Sequence, residues 1–253
     1  MKAALLASVL LVTPAWGADA LYGLYAAGQY DEAIRAGTAA ATAPGYAIAA
    51  RAALADAALK PKPCMDCLKR AEKFARAAVA ADEKFADGHV WLAASLGLEG
   101  RITGLVMARV HNTPGEAKDE LDAALKDDPH NPYALAAIGG WNVEIVRAGG
   151  AYLARKFYGA SLTEALALFD RAVHAAPGNV AVHYQIALSL SGFDPDTYRA
   201  RIESELTETA HATPDTAYEK AMQGRAGELL ALLRRHDSDR FDDMVHKFQG
   251  YPE

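Results

Sequence analysis

Residues 165–179, ALALFDRAVHAAPGN, decide how this chain folds. Ala165, Phe169 and Ala172 recur at steps of four and three, which puts them on one face of a helix, and Pro177 ends the stretch. The same spacing returns as Ala71, Ala75, Ala78 and Glu83, and again as Ala117, Leu121, Ala124 and Pro129. Near the N-terminus it appears as Ala33, Gly37, Ala40 and Gly45, preceded by Gly28 and Tyr30. Small residues in these slots let a neighbouring helix approach closely.

This is the pattern of the second helix of a tetratricopeptide (TPR) repeat. First helices align as well: His89, Leu92, Ala93 and Leu96 correspond to Leu135, Ile138, Gly139 and Asn142, then to His183, Ile186, Ala187 and Leu190. Each set shares one helical face. The offset is 46 residues from His89 to Leu135 and 48 from Leu135 to His183, against about 34 for an ordinary repeat of this class. The extra residues fall between the two helices of a repeat, at 100–116 and 147–164. Laid over one another they share Arg101-x-x-Gly104-x-x-x-Ala108-Arg109 and Arg147-x-x-Gly150-x-x-x-Ala154-Arg155. The expected fold is therefore all-α: a TPR-like α-solenoid of antiparallel helix pairs with two helical insertions, one domain over 21–253. Patterns at 197–212, 216–236 and 239–248 read as C-terminal capping helices, with Asp215 the expected N-cap of the middle one.

Composition agrees. Hydrophobic residues make up 51%, swollen by Ala, and charged residues 23%, an ordinary balance for a globular protein rich in helix. A net charge of −6 with no basic run argues against nucleic acid or an anionic membrane as partner. Residues 1–20 read as a signal peptide: Lys2, a short apolar run, then small residues suited to cleavage after Gly17 or Ala20. The run is too short to span a bilayer and no later one is longer. A periplasmic protein without a transmembrane segment is expected, with secretion the alternative.

Residues 67–190 resemble the TPR-like core of the regulator of microtubule dynamics family. HVWLAASLG at 89–97, the 101–109 insertion, ALKDDPHNPYALAAIGGWN at 124–142 and YGASLTEALALFDRAVHAAPGN at 158–179 carry the resemblance. It implies elongated repeats with hydrophobic inserts, as in secreted bacterial relatives. The eukaryotic roles in microtubule and membrane-contact biology are not carried over. A weaker similarity connects the chain to repeat proteins that partner periplasmic transporters. Fold resemblance of this kind bears on function only by analogy.

Few residues suggest chemistry. Cys64 and Cys67, the only cysteines, are expected to form a local disulfide, since thioredoxin-like, haem and zinc contexts are all missing. His89 and His183 occupy equivalent slots, where core packing outweighs a metal site. No phosphate loop, nucleophile elbow or metalloprotease motif occurs, so neither catalysis nor a cofactor is expected. Arg101, Arg109, Arg147 and Arg155 either pair with Glu99, Glu116 or Glu144, or rim an apolar groove. Met107, Trp141, Tyr152 and Tyr158 join these arginines and the two histidines as candidate ligand-contacting residues. The leading expectation is a scaffold holding a protein or peptide on its concave face. The alternative is a carrier of a hydrophobic small molecule between the inserts.

Overall fold

The computed structural model describes residues 17–252. Most of the expected signal peptide therefore lies outside the described residues. Those described form thirteen helices and no strand. In order they are α1 (Ala18–Ala26), α2 (Tyr30–Ala40), α3 (Ala43–Leu59), α4 (Met65–Ala81), α5 (Ala86–Thr103) and α6 (Leu105–Val110). Then follow α7 (Thr113–Asp127), α8 (Pro132–Tyr158), α9 (Leu162–Ala175), α10 (Val180–Ser191), α11 (Arg199–His211), α12 (Ala217–Arg234) and α13 (Ser238–Phe248). Neighbours pack in pairs, with α5 against α7 and α8 against α9, while α6 belongs to the first insertion. The chain is an all-α solenoid.

Local sequence sets these boundaries. Asn131 and Asn179, each two residues after a proline, accept the Ala134 and Val182 amides at 3.0 Å and so cap α8 and α10. Ser161 caps α9 through the Glu164 amide at 3.2 Å. At α12 the cap is Thr216 rather than Asp215. Its hydroxyl accepts the Glu219 amide and the Glu219 carboxylate accepts the Thr216 amide, both at 3.1 Å. This reciprocal box satisfies two helix-end amides at once, which a lone Asp215 cap would not.

The aligned slots are where the pairs meet. Ala71, Ala75, Ala78, Ala165, Phe169 and Ala172 are wholly shielded from solvent, as are Ile186, Ala187 and Leu190 opposite them. Gly139 shows why one slot takes no side chain: a Cβ there would lie 2.5 Å from a Phe169 ring carbon. Burying such apolar faces contributes roughly 25 cal/mol per Å².

The first helices α1, α3, α5, α8, α10 and α12 neighbour one another in that order, and α12 comes back to touch α1. A Cβ on Gly28 would sit 2.9 Å from the Ala217 Cβ, and Arg225 of α12 donates to the Ala58 carbonyl of α3 at 2.7 Å. Beyond covering a last face, the C-terminal helices fold back to the first repeats across the inner side. Gln249 and Tyr251 then reach α5, α8 and α10.

Candidate binding site at the paired inserts

Each insertion begins where a first helix is broken by glycine. α5 stops at Gly104 with φ 80° and ψ 163°; α8 is interrupted at Gly150 with φ 73° and ψ 159°. This backbone region is essentially closed to residues with a Cβ, and the two aligned glycines adopt it alike. Past the break, a short helical segment meets the body through a single residue. Ala108 is the one buried residue of α6, and Ala154 the one buried residue between Gly150 and Tyr158. Everything around them faces outward. Leu105, Val106 and Val110 are 64%, 76% and 69% exposed, and Tyr152 and Phe157 are 73% and 59% exposed. Met107 and Leu153 are exposed too, so seven of the nine large apolar residues exposed among those described lie on the inserts.

The four insert arginines divide into two kinds. Arg101 and Arg147, before the glycines, converge on Glu144 with N–O distances of 3.0 and 2.8 Å. Arg101 also donates to the Gln249 carbonyl at 2.9 Å, and Arg147 donates to the Tyr251 hydroxyl. The Tyr251 ring lies beneath both guanidinium groups, at 5.7 and 5.3 Å. Burial alone would raise the Glu144 carboxyl, but the two guanidinium groups beside it prevail and hold it below the usual carboxylate range. Glu99 and Glu116, the other partners expected for these arginines, pair with Lys69 and Arg76 instead. Arg109 and Arg155, after the glycines, are exposed and have no ion-pair partner among the described residues. The four do not share one helix side, because Gly104 and Gly150 redirect the chain between them.

Trp141 joins the two insertions. Its indole donates to the Pro114 carbonyl, at the end of the first, at 2.8 Å, and its ring meets Tyr158, at the end of the second, edge-on at 6.2 Å. Trp141 and Tyr158 are both half-buried.

His89 and His183 are not brought to this surface. Each is buried and clamped between a carboxylate of the helix it packs against, α7 or α11, and a repeat-closing carbonyl. His89 meets Glu120 at 2.5 Å and the Glu83 carbonyl at 2.9 Å. His183 meets Glu205 at 2.5 Å and the Pro177 carbonyl at 2.8 Å. Two acceptors around one ring favour its doubly protonated form. For His183 the Glu205 hydrogen bond leads in raising the pKa; for His89, burial opposes the charge but the bonds to Glu83 and Glu120 outweigh it. Both rings are buried packing latches, away from the exposed insert surface.

A family model described as regulator of microtubule dynamics protein 1-3 matches residues 46–234. The chain belongs to that family. No curated protein matches it in sequence. The match takes in both insertions of this family member and its cysteine pair, but stops short of Gln249 and Tyr251, which brace the insert bases.

Cys64 and Cys67 are joined as a disulfide with Cα atoms 5.2 Å apart, at the start of α4. The loop they staple borders a cavity of about 420 Å³ with Leu98, Ile102, Phe248 and Tyr251 on its other walls. Sequence reasoning missed Tyr251 and Gln249, which carry no motif. It also missed Arg51, whose guanidinium sits 4.6–5.7 Å from the rings of Tyr22, Tyr25, Trp91 and Tyr133 and donates to the Tyr133 hydroxyl at 3.1 Å. The available signal was a single cation in the Ala-rich α3.

Proposed function

We propose that this chain is an exported, non-catalytic binding protein whose recognition surface is the pair of insert tips. The concentration of exposed large apolar side chains on residues 105–110 and 152–157 carries this reading. A folded protein seldom leaves so contiguous an apolar set in water without a partner for it. The inner side of the helical ring supports a partner less well, because Arg225, Gln249 and Tyr251 of this same chain already engage α3, α5, α8 and α10 there.

Export rests on the signal-peptide reading of residues 1–20. Cleavage after Gly17 leaves α1 whole from Ala18, whereas cleavage after Ala20 removes its first turn. Sequencing the N-terminus of protein recovered from a periplasmic fraction should therefore read Ala18 first; an intact Met1 in the cytoplasm would overturn export.

Site-specific photo-crosslinking in cells tests the surface. Probes at Val106 and Tyr152 should give adducts that a probe at exposed Glu208 of α11 does not. Equal labelling at all three positions, or none at the inserts, rejects the reading. A second reading, a carrier of a small apolar molecule, is favoured by the 420 Å³ cavity beside the first insert, a volume within the range of ligand sites. Mass spectrometry of freshly purified protein should then find a stoichiometric small molecule.

A further inference from the structure

The insert tips differ from the rest of the protein in charge as well as in polarity. No Asp or Glu occurs between Glu99 and Glu116, or between Glu144 and Glu164, in a chain whose net charge is −6. Past the two glycine breaks the cations of these stretches are Arg109, Arg155 and Lys156. The first two lack an ion-pair partner among the described residues, and the Lys156 ammonium lies 5.8 and 5.6 Å from the Tyr152 and Phe157 ring centres. Both tips belong to one end of the molecule, since their bases share Glu144 and their far ends share Trp141.

We propose that the two tips dock this protein onto a membrane surface bearing anionic lipid, the apolar side chains entering the headgroup region and the cations resting on lipid phosphates. The inference rests on the reading that the tips are the recognition surface, and it names what they recognise. The distribution of apolar residues around α6 selects a bilayer over a groove. A helix seated in a protein groove needs one apolar stripe. At about 100° per residue, exposed Leu105, Val106, Val110 and Met107 instead spread over roughly 200° of the helix, with Arg109 among them, which suits immersion beside charged headgroups. A second copy of the chain would set Arg109, Arg155 and Lys156 against their own like charges. Overall negative charge does not forbid the contact, because salt screens charges over about 8 Å and the insert stretches themselves carry no acid. Among the described residues no helix is long and apolar enough to cross a membrane, so the association is peripheral.

Co-sedimentation of the mature chain with vesicles tests this. Partition onto phosphatidylcholine mixed with phosphatidylglycerol should exceed that onto phosphatidylcholine alone, and should fall as salt is raised. Val106→Asp and Phe157→Asp should each weaken partition about tenfold without changing the circular dichroism spectrum or the melting temperature. Exchanging both Arg155 and Lys156 for Glu should abolish the preference for the anionic vesicles. Absence of partition, or partition unaffected by these variants, overturns the proposal. If vesicles fail to bind while probes at Val106 and Tyr152 crosslink to one protein, the lipid partner is wrong and the insert surface stands. If the crosslinks also fail, both fall.

Discussion

The base and the tip of each insertion are built from one motif, Arg-x-x-Gly-x-x-x-Ala-Arg, and do opposite things with it. At the base, Arg101 and Arg147 remain on α5 and α8 and turn inward to Glu144 and Tyr251. At the tip, Arg109 and Arg155 stand in solvent among exposed Leu, Val, Tyr and Phe. Neither residue type nor spacing along a helix separates these roles. The separation comes from Gly104 and Gly150, whose positive φ ends one helical direction and begins another. An arginine before the break is held by the body; one after it is presented.

The strongest way to break this comparison is at the shared carboxylate. Glu144→Ala leaves two guanidinium groups facing each other without an acceptor. Denaturant unfolding should show a loss of about 2 kcal/mol, between the values for exposed and buried pairs. The acid limb follows from the same group. Its folded pKa is depressed, so its contribution is present above the unfolded carboxyl pKa and disappears as pH falls through the folded value. Glu144→Gln should flatten that limb.

Next in size is the glycine break. Gly150→Ala should cost about 1–2 kcal/mol, read from the urea midpoint, because a Cβ is strained in that conformation. An unchanged midpoint would mean that the break is not needed to separate base from tip.

The histidine latches sharpen the comparison from inside the core. Both imidazoles have raised folded pKa values, so their contribution is full below the ordinary imidazole value of about 6.5. It is lost as pH rises through the raised values. His183→Gln should reduce this alkaline decline and cost about 1 kcal/mol at neutral pH, moderated because Arg201 still holds Glu205 at 2.5 Å. At the small end, Arg109→Ala and Arg155→Ala should shift stability by less than about 0.5 kcal/mol. A larger shift in a thermal melt would place these tip arginines among the structural residues.

Much of the architecture was legible because close packing leaves a periodic trace. Ala71, Ala117 and Ala165 mark where second helices nest, and the 46- and 48-residue offsets exposed the insertions. The alignment of Gly104 with Gly150 was also readable, and the backbone angles agree within a few degrees. The division among the four arginines was not. An i to i+8 spacing suggests one helix face only if the helix continues, and a glycine in a helical pattern does not announce a break. Tyr251 was out of reach for another reason: it lies 107 residues from Glu144 in sequence, and a lone Tyr near a terminus carries no periodic signal. Asp215 competed with Thr216 as a cap, and the choice went to the residue that Glu219 could answer.

By itself the sequence determined the helices, their pairing and the presence of two like insertions, because these follow from local propensity and from short-range periodicity. Tertiary structure alone decided that α12 returns to α1, that Glu144 gathers two arginines from successive repeats, and that the tips face water with their apolar residues bare. Each of these depends on which distant segments share one volume, a property that packing settles and local pattern does not encode.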